Sequence, residues 1–224
     1  MKIMKKLLSI TLVIFSCLCA LLFCGCQSNE DKAKKFAEEN IPKFLNDASS
    51  YEAVETKVDS AFANILIDSE AMSAAVEINE QKEKQEELER DMDNAKSSMA
   101  IFAPTAYYDS CYDKEQRRQA NEKIKEIQEE LSESKAEIKA QERIILKRNK
   151  MIEKGKFIGW GIQHSFRCKN GMGISMLAQS LLVTDKDFKN VLFRIIVATK
   201  LDEEEIENAR KEIERVLKMN GVDK

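Results

Sequence analysis

The run GWGIQHSFRCKNGMG, residues 159–173, holds the chain's only Trp and only His, with Arg167 and Cys168 close behind. A thiol and an imidazole this close in sequence raise nucleophilic chemistry, in which His164 would take the proton of Cys168. That chemistry requires the two groups within hydrogen-bond reach. Trp160, Ile162, His164, Phe166 and Cys168 alternate with Gly161, Gln163, Ser165, Arg167 and Lys169, a period of two that predicts a strand. Four residues of strand span about 13 Å, so the pair is not a catalytic dyad. His164 is then a packing residue on the apolar face, and a chain without a second His lacks a typical zinc-ligand set. Gln163, Ser165, Arg167 and Lys169 form the other face, either solvated or paired with the acids of a helix. With no nucleophile elbow, metal-binding helix motif, phosphate loop or short-spaced redox Cys pair, the sequence assigns no catalytic residue, no metal ligand and no cofactor.

Six cysteines are present. Cys17, Cys19 and Cys24 fall in the N-terminal run MKIMKKLLSITLVIFSCLCALLFCGC, where Lys2, Lys5 and Lys6 precede uncharged apolar residues from Leu7 to Phe23, the pattern of a secretory signal. The segment FCGC resembles the lipobox of bacterial lipoproteins, with a small Gly25 just before Cys26. The resemblance implies cleavage after residue 25, acylation of Cys26 and attachment to the membrane through lipid. Two or three acyl chains, at about 0.8 kcal/mol per buried methylene, hold a protein on a bilayer without help from its fold. The alternative is an uncleaved anchor helix, and both place the body outside the cytoplasm. QSNED after Cys26 resembles the surface-export signals of some Gram-negative phyla, so the expected location is the outer membrane, on the cell surface or the periplasmic side. Glu30 and Asp31 also suit the first turn of a helix, where acids favour the dipole.

Without residues 1–25 the chain loses three lysines and no acid, and its net charge moves from −3 to −6. That balance argues against a nucleic-acid partner. Seven Gly and two Pro leave long stretches without breakers, favouring helix. Cys111 and Cys168 remain as a pair that could form a disulfide outside the cytoplasm or stay buried as small apolar thiols; their spacing decides neither.

These residues must be positioned by a few elements. Residues 30–46 place Ala33, Phe36, Ala37, Ile41 and Phe44 at helical spacing, with Pro42 kinking the helix or opening a fresh turn. Residues 51–62 alternate as a strand. Residues 69–96 form an amphipathic helix. From Asp113 to Glu153, Ile124, Leu131, Ile138, Ile145 and Ile152 recur every seven residues, the seam of a coiled coil, while the alternate positions Ser134, Gln141 and Arg148 are polar. The two long helices are expected to pack antiparallel as an arm reaching on the order of 40–60 Å; a parallel homodimer seam is the rival reading. Their connection, residues 97–112, carries Phe102, Tyr107, Tyr108 and Tyr112. Such a cluster marks an interaction tip, unless the loop folds back on the helix ends.

Asn170, Gly171 and Met172 read as a three-residue turn, setting Cys168 opposite Ile174, Phe166 opposite Met176 and Trp160 opposite Leu182. A third strand is expected at 190–199. Asp202 and Glu205 would cap the last helix, with Leu201 stapled onto Ile206, and Asn220 with Gly221 would end it.

HSFRCKNGMG, with the earlier LNDASSYEAVE, resembles a strand-and-turn signature, H-x-F-R-x-K-N-x-x-G, of uncharacterised bacterial lipoproteins. The resemblance implies a small α+β domain and brings no activity. The expected fold is therefore α+β: a small, mostly antiparallel sheet covered by N- and C-terminal helices, with a long antiparallel coiled-coil hairpin inserted after the first strand. The expected divisions are a signal peptide at 1–25, an α+β domain at 26–64 and 155–224, and the helical insertion at 65–154. The leading functional expectation is a lipid-anchored envelope protein that binds a protein partner without catalysis. The alternatives are a hydrolase using carboxylates and a small-ligand domain at an open sheet face.

Overall fold

Ser28 opens the first helix: its hydroxyl accepts the Asp31 N–H at 3.1 Å while the Asp31 carboxylate accepts the Ser28 N–H at 3.3 Å, a reciprocal box that pairs two orphan donors. The computed structural model describes residues 28–104 and 110–222. Helix α1 spans Asn29–Asn40 and buries Ala33, Phe36 and Ala37. It stops before Pro42, which sits in the first turn of a separate 3-10 segment, Ile41–Phe44.

Four strands follow: β1 (Glu52–Phe62), β2 (Phe157–Lys169), β3 (Ser175–Asp185) and β4 (Val191–Val197). They form one antiparallel sheet in the order β1-β2-β3-β4. Helices α2 (Ser69–Ile101) and α3 (Cys111–Met151) lie between β1 and β2 in the chain, and α4 (Lys200–Met219) follows β4. The α+β class expected from sequence is therefore found, with four helices and one four-stranded antiparallel sheet among the described residues.

Alternation sends successive side chains to opposite faces of the sheet, and each face meets its own core. On one, Ile162, Phe166, Cys168, Ala178 and Leu182 pack with Ala33, Phe36, Ala37 and Ile41 of α1 and the turn after it. On the other, Ala61, Val183 and Phe193 join Ala71, Ala75 and Ile78 of α2, Ile145 of α3 and Ala209, Ile213 and Val216 of α4.

The β2–β3 turn differs from its expected form. Lys169 pairs with Ser175, Cys168 with Met176 and Phe166 with Ala178, so the connection holds five residues rather than three. The cause is Asn170, whose side-chain oxygen accepts the N–H groups of Met172 and Ile174, both at 3.0 Å, while Gly173 takes φ +77°. A shift of two residues preserves the faces, which is why the apolar pattern fits both registers. The start of α4 also differs: Thr199, not Asp202, is the N-cap, and Asp202 closes the box as the third helical residue. Leu201 is 76% exposed and staples nothing. The end matches, with Gly221 at φ +68° and the Val222 N–H reaching the Leu217 carbonyl at 3.0 Å, the 6→1 bond of a glycine-terminated helix.

Helices α2 and α3 run antiparallel in contact: Asp91 meets Lys123, Lys84 meets Glu130, Gln85 meets Ser134 and Asp68 meets Arg148. Ile127, Leu131 and Ile145 of α3 are buried. Two polar side chains of α3 bridge to α2. Ser134 accepts from Gln85 and donates to the Gln81 carbonyl, and Arg148 forks onto Asp68, which also caps α2 by accepting the Ala71 N–H.

Gly159 lies beside the irregularity in the β1–β2 pairing between Ala61 and Phe62, and pairs with Asp185 of β3 on its other side. A Cβ there would fall inside the van der Waals radius of the Thr184 carbonyl oxygen. Gly159→Ala is expected to destabilise the fold by more than about 2 kcal/mol, measured by urea denaturation; an unchanged midpoint would contradict this packing.

Candidate functional site

His164 is buried and fully partnered. The Tyr51 hydroxyl lies 2.8 Å from Nε2 and the Thr56 hydroxyl 2.8 Å from Nδ1, and the His164, Tyr51 and Phe166 rings form a mutual cluster with centroids 6.0, 5.9 and 5.6 Å apart. Thr56 is directly opposite His164 across the β1–β2 pair, so the register itself places this hydroxyl. Burial pushes the imidazole pKa down, with Glu38 opposing and Lys34 reinforcing the shift. Burial also pushes Tyr51 up to about 12. Both groups are thus held neutral, an arrangement suited to packing rather than proton transfer.

Cys168 points into the α1-side core, where burial raises its thiol pKa. Cys111 is exposed at the start of α3, and both thiols are free. The disulfide weighed from sequence is not formed. α3 joins the sheet-side core only from Ile138 onward, about 40 Å of helix beyond Cys111. Cys26 lies outside the described residues, as do Tyr107 and Tyr108.

At the ends of α2 and α3, the Phe102 and Tyr112 rings meet edge to face with centroids 5.9 Å apart, and Arg117 donates to the Phe102 carbonyl. Ile101 is 76% and Tyr112 63% exposed. The described part of this connection therefore brings two of the four expected tip residues together and leaves apolar surface in solvent. A second cluster joins three helices: the buried Glu212 of α4 accepts from Lys82 of α2 and Arg215, and Arg215 also reaches Glu142 of α3 at 2.9 Å. Burial raises the Glu212 pKa, but the hydrogen bonds from Arg215 and Lys82 outweigh it and hold the carboxyl below its usual value. This cluster is a structural clamp. No group of three or more potential metal ligands occurs among the described residues.

One cleft emerges that no residue pattern announced. The helix α4 stripe that packs on the core runs from Ile206 to Leu217, leaving its first turn standing off the sheet. Between the helix and the strands is a space of about 800 Å³, within the usual range for small-molecule sites. Its floor is two cross-strand rows, Glu55–Ser165–Gln179–Val197 and Lys57–Gln163–Leu181–Ile195. Its roof is Lys200, Glu203, Glu204, Ile206, Glu207 and Arg210. The signal available in sequence was half of this: the polar face of β2, and Glu203, Glu207 and Arg210 recurring on one side of a helix.

Comparison with protein-family models, curated proteins and solved structures returns no match.

The unfolded imidazole takes up its proton near pH 6.5 and the folded one at lower pH. Between those values the unfolded chain binds more protons, so stability falls as pH drops below about 6.5. His164→Gln is expected to flatten this part of the profile relative to the parent chain, read as thermal midpoints from pH 7.5 down to about 5; parallel profiles would contradict a neutral, buried His164.

Proposed function

We propose that the chain is a lipid-anchored envelope protein that acts by binding a protein partner, not by catalysis. Cys26, the residue that the lipobox-like segment would leave at the new N-terminus, carries the lipid. In this reading α2 and α3 form a coiled-coil hairpin inserted between β1 and β2, and the sheet with α1 and α4 is the platform that holds it.

The observation that carries the reading is the apolar surface around Ile101, Phe102 and Tyr112, placed at the end of two helices that are otherwise rich in Lys and Glu. Aromatic side chains give large contact area at low entropic cost and are enriched where proteins meet. Ion pairs such as Asp91–Lys123 and Arg118–Glu122 keep the flanking helix surface hydrated, which concentrates adhesion at the end. The helix pair needs no metal or ligand to hold it, since its seam is filled by Ile127, Leu131 and the Ser134–Gln85 bond.

Phe102→Ser combined with Tyr112→Ser, in the full chain, is expected to lose a cross-linked envelope partner while the thermal midpoint moves by less than about 3 °C. An unchanged set of cross-linked partners would remove the reason for placing the contact there. Cys26→Ser is expected to abolish incorporation of labelled palmitate and to release the chain from membranes; continued labelling would contradict the anchor.

A further inference from the structure

We propose that the cleft between the open half of the sheet and α4 binds a short peptide, with the guanidinium of Arg210 taking its terminal carboxylate. The proposal stands apart from the reading of the helix ends, since it concerns a different surface and different residues.

Three observations lead to it. First, part of the lining is uncommitted. The side chains of Gln163, Ser165, Gln179, Lys200, Glu203 and Glu204 enter no hydrogen bond or ion pair among the described residues, whereas Lys57 pairs with Glu55 and Glu207 with Lys211. Second, the Arg210 Nε is without accessible surface and without a partner. That nitrogen is closed to any ligand, but the rest of the guanidinium lines the cleft without a protein partner among the described residues, and the group that pairs its outer nitrogens best is a carboxylate received in the two-pronged fashion.

Third, the charges select the ligand class. Lys57, Lys200 and Arg210 are accompanied by Glu55, Glu203, Glu204 and Glu207. Four carboxylates oppose a phosphate or another compact polyanion, whereas a ligand bearing one carboxylate and one ammonium matches both signs. The floor adds the rest. Carboxamides on Gln163 and Gln179 both donate and accept, as a peptide group does, and Leu181, Ile195, Val197 and Ile206 offer an apolar end. Four strands at about 4.8 Å spacing make the floor about 14 Å across, the length of three or four extended residues. The match is therefore to a tri- or tetrapeptide with a free carboxylate and an apolar side chain.

The test uses the full chain in detergent and a random tripeptide library, with capture read by ligand-observed saturation-transfer NMR. The same library with its carboxylates amidated is the control. Capture of the free library with weaker capture of the amidated one, by about tenfold or more, is expected. Arg210→Gln should fold with an undiminished thermal midpoint, because the group removed has no partner, and should lose the preference for the free carboxylate. Gln163→Ala with Gln179→Ala should weaken capture of both libraries and serves if Arg210→Gln does not fold. Absence of capture by the parent chain, or capture indifferent to amidation and to these variants, would overturn the proposal. Inorganic phosphate displacing the library at equal concentration would overturn the peptide class.

Discussion

Ile78 of α2, Ile145 of α3 and Ile213 of α4 have no accessible surface, and they belong to one apolar cluster with Val183 and Phe193 of the sheet. Burying each such side chain stabilises by about 1.5–3 kcal/mol. More consequential than the sum is the geometry, because close-packed interiors fix the positions of the elements that meet there. This meeting point anchors the two long helices against the sheet and sets where α4 touches down. α4 packs on the cluster from Ile206 to Leu217, while its first turn, which supplies Lys200, Glu203 and Glu204, takes no part in it. The cleft is the geometric remainder of that constraint.

Charge then specifies what apolar burial leaves loose. Asp68 both caps α2 and receives the Arg148 fork, so the start of one long helix is tied to the end of the other. Glu212, Lys82, Arg215 and Glu142 link all three helices a few turns away. Buried ion pairs contribute little net stability against apolar replacements, and their best-attested use is to select one arrangement. Here the two clamps oppose sliding of α2 along α3, which apolar contacts such as those of Ile127 and Leu131 alone resist less.

Local pattern made much of this legible in the sequence. The period of two in residues 160–169, the helical spacing from Ile124 to Ile145 and the break at Pro42 each rest on neighbours along the chain, and the strand, the helix and the break stand where those signals place them. The misreadings share a different origin. The β2–β3 register depended on whether Asn170 would spend its side chain on two backbone donors, and the α4 cap depended on Thr199 rather than Asp202 taking the extended conformation; both are choices between locally equivalent options. His164 was readable as a packing residue, but its Tyr51 and Thr56 partners come from pairing β1 with β2 across the long helices. The cleft was least legible, because it belongs to the separation between elements, and no spacing within one element encodes that.

Residues 69–82 and 138–151 belong to the cooperative core, and the remainder of the two long helices does not. Native-state hydrogen exchange measures this directly. Amides around Ile78 and Ile145 are expected to exchange with the same opening free energy as those of β2 and β3, and amides of residues 88–100 and 112–126 through smaller openings. Uniform protection along both helices, or exchange at Ile78 and Ile145 well before the strands, would contradict it.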